Sequence, residues 1–100
     1  MKMYILIKEQ LPIGFATLAA AHASLAAYLK FENDNDMKQW VNGTFYKVIC
    51  KVNETEFEKA KQFDHHVILT ESSLNNEEVA IAFKPRNEWP KAFKFYKLYK

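Results

Sequence analysis

The stretch from residue 45 to about residue 62 most constrains what this chain can fold into. In Phe45-Tyr46-Lys47-Val48-Ile49-Cys50-Lys51-Val52, an extended backbone puts Tyr46, Val48, Cys50 and Val52 on one face. Lys47 and Lys51 fall on the other. Asn53 follows at once, and Glu56 occupies the third helical position after it, the spacing of an Asx-type capping box. Val52 and Phe57 flank that box as a hydrophobic staple. The pattern predicts a helix reaching about Gln62, with Phe57, Ala60 and Lys61 along one stripe. A strand that passes without a loop into a capped helix belongs to a layered α/β domain.

The rest of the chain reads in the same grammar. Residues 3–8 form a short apolar run suited to a buried strand, broken by Leu11-Pro12-Ile13-Gly14. Residues 15–30 read as a helix in which Phe15, Leu18, His22, Leu25 and Leu29 share a face. Seven alanines fill much of its remainder, so the helix is expected to be packed on more than one side. Asn33 to Asp36 supplies caps for a short second helix whose face is Met37, Trp40 and Val41. Gly43 is placed to end it in the left-handed conformation. Residues 66–71 and 78–84 read as strands joined by a polar loop from Ser72 to Glu77. A loop that short joins an antiparallel pair. Pro90 then starts a last helical turn, with Trp89, Phe93 and Tyr96 on one face.

The expected order is therefore β-α-α-β-α-β-β-α in one domain over residues 1–100. Helical links let the first three strands run parallel, and the fourth is antiparallel. The fold class is α/β: a three-layer α/β/α domain with a mixed four-stranded sheet.

Size and composition agree with this. One hundred residues, 49% hydrophobic and with 15% aromatic content, can close one core without disulfides, and the lone Cys50 can form none internally. The apolar start ends at Lys8 and Glu9, too short for a signal-peptide core or a membrane span, which leads to the expectation of a cytoplasmic protein. The formal net charge is only +2, but residues 84–100 carry six basic residues against Glu88 alone. That tail reads either as a solvated, solubilising face or as a surface for RNA phosphates.

The stretch Gly14-Phe15-Ala16-Thr17-Leu18-Ala19-Ala20-Ala21-His22-Ala23-Ser24-Leu25-Ala26-Ala27-Tyr28, followed by Trp40 and Gly43-Thr44-Phe45-Tyr46-Lys47-Val48, resembles type II peptidyl-tRNA hydrolases. Those proteins open with a strand, then a Gly-Lys step into an alanine-rich helix carrying His-Ala, then a Trp and a Gly-x-x-Lys-Val strand. Glu56 to Phe63 is similar to the family's next helix, and Val79 to Pro85 to its last strand. The resemblance implies the family's fold, an ester hydrolase acting on peptidyl-tRNA, and a homodimer. It also shows departures. The family's lysine falls on Phe15 and its glutamine on Ala19. Its early acid falls near Gln10. Its Asp-Ala-Gly-x-Thr loop falls on Glu71-Ser72-Ser73-Leu74-Asn75, where only Glu71 keeps the charge.

Ester hydrolysis needs a group that activates water and donors that hold the oxyanion. His22 is the candidate base that the resemblance supports, although a histidine on an apolar helical stripe is ordinarily a hydrogen-bonded core residue. Glu71, at a strand end beside a polar loop, becomes a second candidate if its environment raises its pKa. The ordinary reading is a solvated carboxylate. Candidate RNA contacts are Lys91, Lys94 and Lys97 in the basic tail, Lys8 at the end of the first strand, and Gly14, whose helix-start N–H groups suit an anion. His65-His66 points to opposite faces of a strand and makes no chelating pair. Cys50, mid-strand, reads as an inert thiol. No phosphate-binding loop, nucleophile elbow or dinucleotide fingerprint occurs, so no cofactor is expected. Two functional readings stay open: hydrolysis of peptidyl-tRNA or a related acyl-tRNA ester, and a non-catalytic RNA-binding or homodimeric module on the same fold. In the second, Trp89, Phe93, Phe95, Tyr96 and Tyr99 offer rings for base stacking or for a dimer face.

Overall fold

A computed structural model describes residues Met1–Lys100. Strand β1 (Lys2–Lys8) leads to helix α1 (Ile13–Phe31) and the short α2 (Asn35–Val41). β2 (Tyr46–Val52) enters α3 (Glu54–Ala60) directly, and β3 (His66–Glu71) and β4 (Glu77–Phe83) form a hairpin around a 3₁₀ turn at Ser72–Leu74. A second 3₁₀ turn, Lys91–Lys94, precedes β5 (Lys97–Leu98).

The sheet order is β3-β4-β1-β2-β5. β1 and β2 are parallel, and β4 is antiparallel to both β1 and β3, so β1, β2 and β3 all point the same way. The sheet has five strands rather than the expected four. Its fifth strand stands where a last helix was expected. Pro90 does start a helical turn, but the turn stays 3₁₀ and stops at Phe95, because Phe93 is drawn into the core and the chain then pairs with β2.

The capping box forms as the spacing predicts: Asn53 Oδ1 accepts from the Glu56 N–H at 2.8 Å, and Glu56 Oε1 accepts from the Asn53 N–H at 2.9 Å. Side-chain alternation in β1 then divides the interior in two. Met3, Ile5 and Ile7 face α1 and α2, together with Trp40 and Met37. Tyr4 and Leu6 face α3 with Cys50, Val52, Phe57 and Phe83. Helices thus cover both faces of the sheet. No helix is long and apolar enough to cross a membrane.

Helix α1 packs differently from the expectation. Its buried residues are Ala16, Ala19, Ala23 and Ala27, while Leu18, His22, Leu25 and Leu29 are exposed. The large side chains of β1 already fill the space above the sheet, so the helix approaches on its small residues. In β4, Ile81 and Phe83 face α3 and Ala80 and Ala82 face α1 as their alternation requires. Val79 joins the α1 side because the ladder shifts register beside it, between Leu69 and Thr70.

Candidate functional site at the ends of the parallel strands

In α/β sheets, ligands bind beyond the carboxyl ends of the parallel strands. Here β1, β2 and β3 end together, at Lys8, Val52 and Glu71. The sheet separates the polar groups at this end into two clusters.

On the α1 side stands Glu71. Val67 and Leu69 pack against the α1-side core, so alternation aims Glu71 to the same face. Its Oε2 accepts from the Ser73 N–H at 2.9 Å. That bond, the Ser73 hydroxyl and the nearby His22 imidazole hold the carboxyl below its ordinary range. His22 acts on Glu71 only through space, with no hydrogen bond or ion pair between them. The condition for Glu71 to serve as a base, a raised pKa, is not met: the carboxyl is kept ionised, because hydrogen bonds to the carboxylate outweigh its slight burial. His22 lies on the solvent side of α1, not in the core. The loop closes through Asn75 and Asn76, both left-handed at φ 54° and 60°. Asn tolerates that region better than most residues. Position 75 thus holds a turn-forming residue.

On the α3 side, Lys8 is only 5% exposed. Its ammonium lies 2.8 Å from Glu54 Oε1 and 4.7 Å above the Phe57 ring. Gln10 Nε2 donates to Glu54 Oε2 at 3.1 Å. Lys8 first, and Gln10 with it, hold the Glu54 carboxyl below its usual range. Lys8 is therefore committed to an internal partner and lies across the sheet from Glu71.

The remaining candidates are scattered. Gly14 is the second residue of α1 and does not have a positive φ. Lys91 and Lys94 are exposed on the 3₁₀ turn, and Lys97 is exposed on β5. Most of the tail aromatics turn inward instead of forming a stacking platform. Phe93 is buried at the centre of edge-on contacts with Tyr4, Phe83 and Tyr96, and Trp89 packs on Tyr4 at 4.7 Å. Only Phe95 stands well out. Their apolar area was worth more in a second core than on the surface. Cys50 is buried, and burial pushes its thiol up to about 11. His66 Nδ1 sits 2.7 Å from the Phe63 carbonyl oxygen.

Much of the exposed apolar surface lies elsewhere, at Leu25, Tyr28 and Leu29 on α1 and at Phe45 before β2. Sequence reasoning missed it because it assigned the α1 leucines to the core. It also missed the open flank of β2, although the alternation of Lys47, Ile49 and Lys51 already carried that signal.

A search of curated proteins finds no match to the chain. The sequence family described as Peptidyl-tRNA hydrolase PTH2 matches residues 1–88, which take in every strand except β5 and both clusters at the strand ends, and the chain belongs to that family.

Proposed function

We propose that the chain hydrolyses the ester of peptidyl-tRNA or a related acyl-tRNA, with His22 and Glu71 as its catalytic side chains. The observation that carries this reading is the position of Glu71 at the carboxyl end of β3, held ionised by Ser73 and within electrostatic reach of His22 on α1, in a chain of this family. In this scheme a water attacks the ester carbonyl carbon, the bond to the ribose oxygen breaks, and the products are a free peptide carboxylate and the tRNA hydroxyl. His22 takes the proton from water. His22 returns that proton to the ribose oxygen as the bond breaks, and the ionised Glu71, pinned by Ser73, steadies the positive charge on the imidazole in between. Phe15 and Ala19 stand where the family's lysine and glutamine fall, so this pair replaces groups the chain lacks. A tRNA substrate puts the work in the cytoplasm, and Lys91, Lys94 and Lys97 meet its phosphates, with Gly14 at the helix start.

The test is release of the acyl group from purified peptidyl-tRNA. Glu71→Gln and His22→Ala are each expected to lower turnover by about 10²–10⁴-fold with unchanged thermal stability. Turnover unaffected by either substitution removes their roles. No release at high protein concentration removes the hydrolase reading.

A second reading, a homodimer, is favoured by one observation. Leu25 and Leu29 are more than half exposed one turn apart on α1, and Leu25 lines one surface groove with Tyr28 and Phe45, an apolar surface of the kind that marks a protein partner.

A further inference from the structure

Helix α1 lies mainly over β3, β4 and β1. On that side of the sheet Lys47, Ile49 and Lys51 of β2 are left half-covered. β5 extends the same surface. Its register sets Lys97 opposite Lys51, and the Tyr99 N–H donates to the Ile49 carbonyl at 2.8 Å, so Tyr99 follows Lys97 on this face. Beneath it lies a cavity of about 270 Å³ walled by Ile7, Ile49, Ile13, Ala16, Ala20 and Tyr99.

Two features of this flank are unusual. Like charges directly opposite one another on neighbouring strands are destabilising, yet Lys51 and Lys97 face each other and neither forms an ion pair with any acid. The Lys51 ammonium also stands 5.8 Å from the Tyr99 ring at the cavity wall. An anion between the lysines would relieve their repulsion. An aromatic ring attached to that anion would reach the cavity, whose volume sits near the lower limit of small-molecule pockets, roughly 300 Å³. That space suits one planar ring better than a lipid or a peptide. Phosphate joined to a nucleobase has this chemistry, and bases stack on aromatic side chains whatever their sequence.

We propose that the β2–β5 flank is a nucleotide-binding site, with phosphate held by Lys51 and Lys97 and the base lodged against Tyr99 and Ile49. The site lies on the far flank of α1 from Glu71 and draws Lys97 and Tyr99 from the segment beyond the family match. A free nucleotide and a nucleotide within RNA offer the same chemistry. Only the RNA source rests on the reading that the protein acts on tRNA.

The full chain, labelled with ¹⁵N, is titrated with adenosine 5′-monophosphate, and binding of fluorescent oligoadenylate is followed by anisotropy at several salt concentrations. The expected result is perturbation of the Thr17, Ile49 and Tyr99 amides by the mononucleotide. Lys51→Gln with Lys97→Gln should weaken both ligands by about tenfold or more. It should also lower the salt slope of the oligonucleotide by about 0.7, one phosphate's worth for a single strand. Ala20→Leu, which fills the cavity and leaves β5 intact, should weaken both ligands in a still-folded protein. Mononucleotide binding without oligonucleotide binding supports the site and identifies a free nucleotide as its occupant. Absence of mononucleotide perturbation on this flank, or binding that responds only to Lys91→Gln and Lys94→Gln, overturns the proposal. Loss of peptidyl-tRNA hydrolysis with both ligands still bound counts against the hydrolase reading alone.

Discussion

A methyl group at position 43 would sit 2.7 Å from the Gln39 carbonyl oxygen, whereas one at position 14 would touch nothing within 4 Å. Neither glycine has a positive φ. Gly43→Ala is therefore expected to cost about 1–3 kcal/mol through overpacking against backbone. Gly14→Ala should gain up to about 1 kcal/mol from its better helix propensity. Thermal unfolding of the two variants checks both signs. If Gly14→Ala also impairs binding of an RNA ligand while raising the Tm, the glycine is kept for a close approach and not for the turn. The expectation of a left-handed Gly43 rested on residue type, and the structure puts that conformation at Phe45 instead, with φ 57°. Phe45 is held there by Trp40, whose ring centroid is 4.8 Å away, and by the Lys47 ammonium 3.2 Å from its own ring centroid. Those ring contacts belong to no capping or turn motif, so no pattern of residue types announces them. Asn53 and Glu56 were legible because every partner in their motif lies within four residues.

At the scale of elements, the spacing rule that marks α1 as a helix fits two stripes equally well. One runs through leucines, the other through Ala16, Ala19, Ala23 and Ala27. Choosing by hydrophobicity selects the leucines, but what selects the buried face is the room above the sheet, which the side chains of Met3, Ile5 and Ile7 have already filled. Ala23→Leu should thus cost about 1–3 kcal/mol or more, while Leu25→Ala should stay within about 0.5 kcal/mol in the monomer. Denaturant unfolding distinguishes these outcomes, and the opposite order would mean that the helix packs on its leucines. The same limit hid β5. A strand of two residues has no period to read, and Lys97-Leu98 becomes a strand only because β2 offers an edge to pair with.

At the scale of the whole molecule, the connections carried most of the topology. Helices between the first three strands make them parallel and the short 72–77 loop makes β4 antiparallel, as the sequence implies. The candidate site was legible only as separate residues. His22 and Glu71 come from different elements, and how near they lie depends on how α1 crosses β3. The exposed patch on α1 belongs to this scale as well. Replacing Leu25 and Leu29 together by lysine should convert a dimer to a monomer without lowering the Tm of the folded chain, as read by sedimentation. A wild-type mass that stays monomeric at high concentration ends the dimer reading.

The order β3-β4-β1-β2-β5 also decides how the sheet ends. On one side the last strand is only two residues long and carries a lysine. On the other, the Lys30 ammonium donates to the His66 carbonyl of β3 at 2.6 Å, and a ladder irregularity follows between Leu69 and Thr70. Short strands, lysines and bulges are the devices by which open sheets resist pairing with their neighbours. The molecule carries them at both margins, so the apolar surface it exposes on α1 is free to meet a partner without the sheet being drawn into fibrous growth.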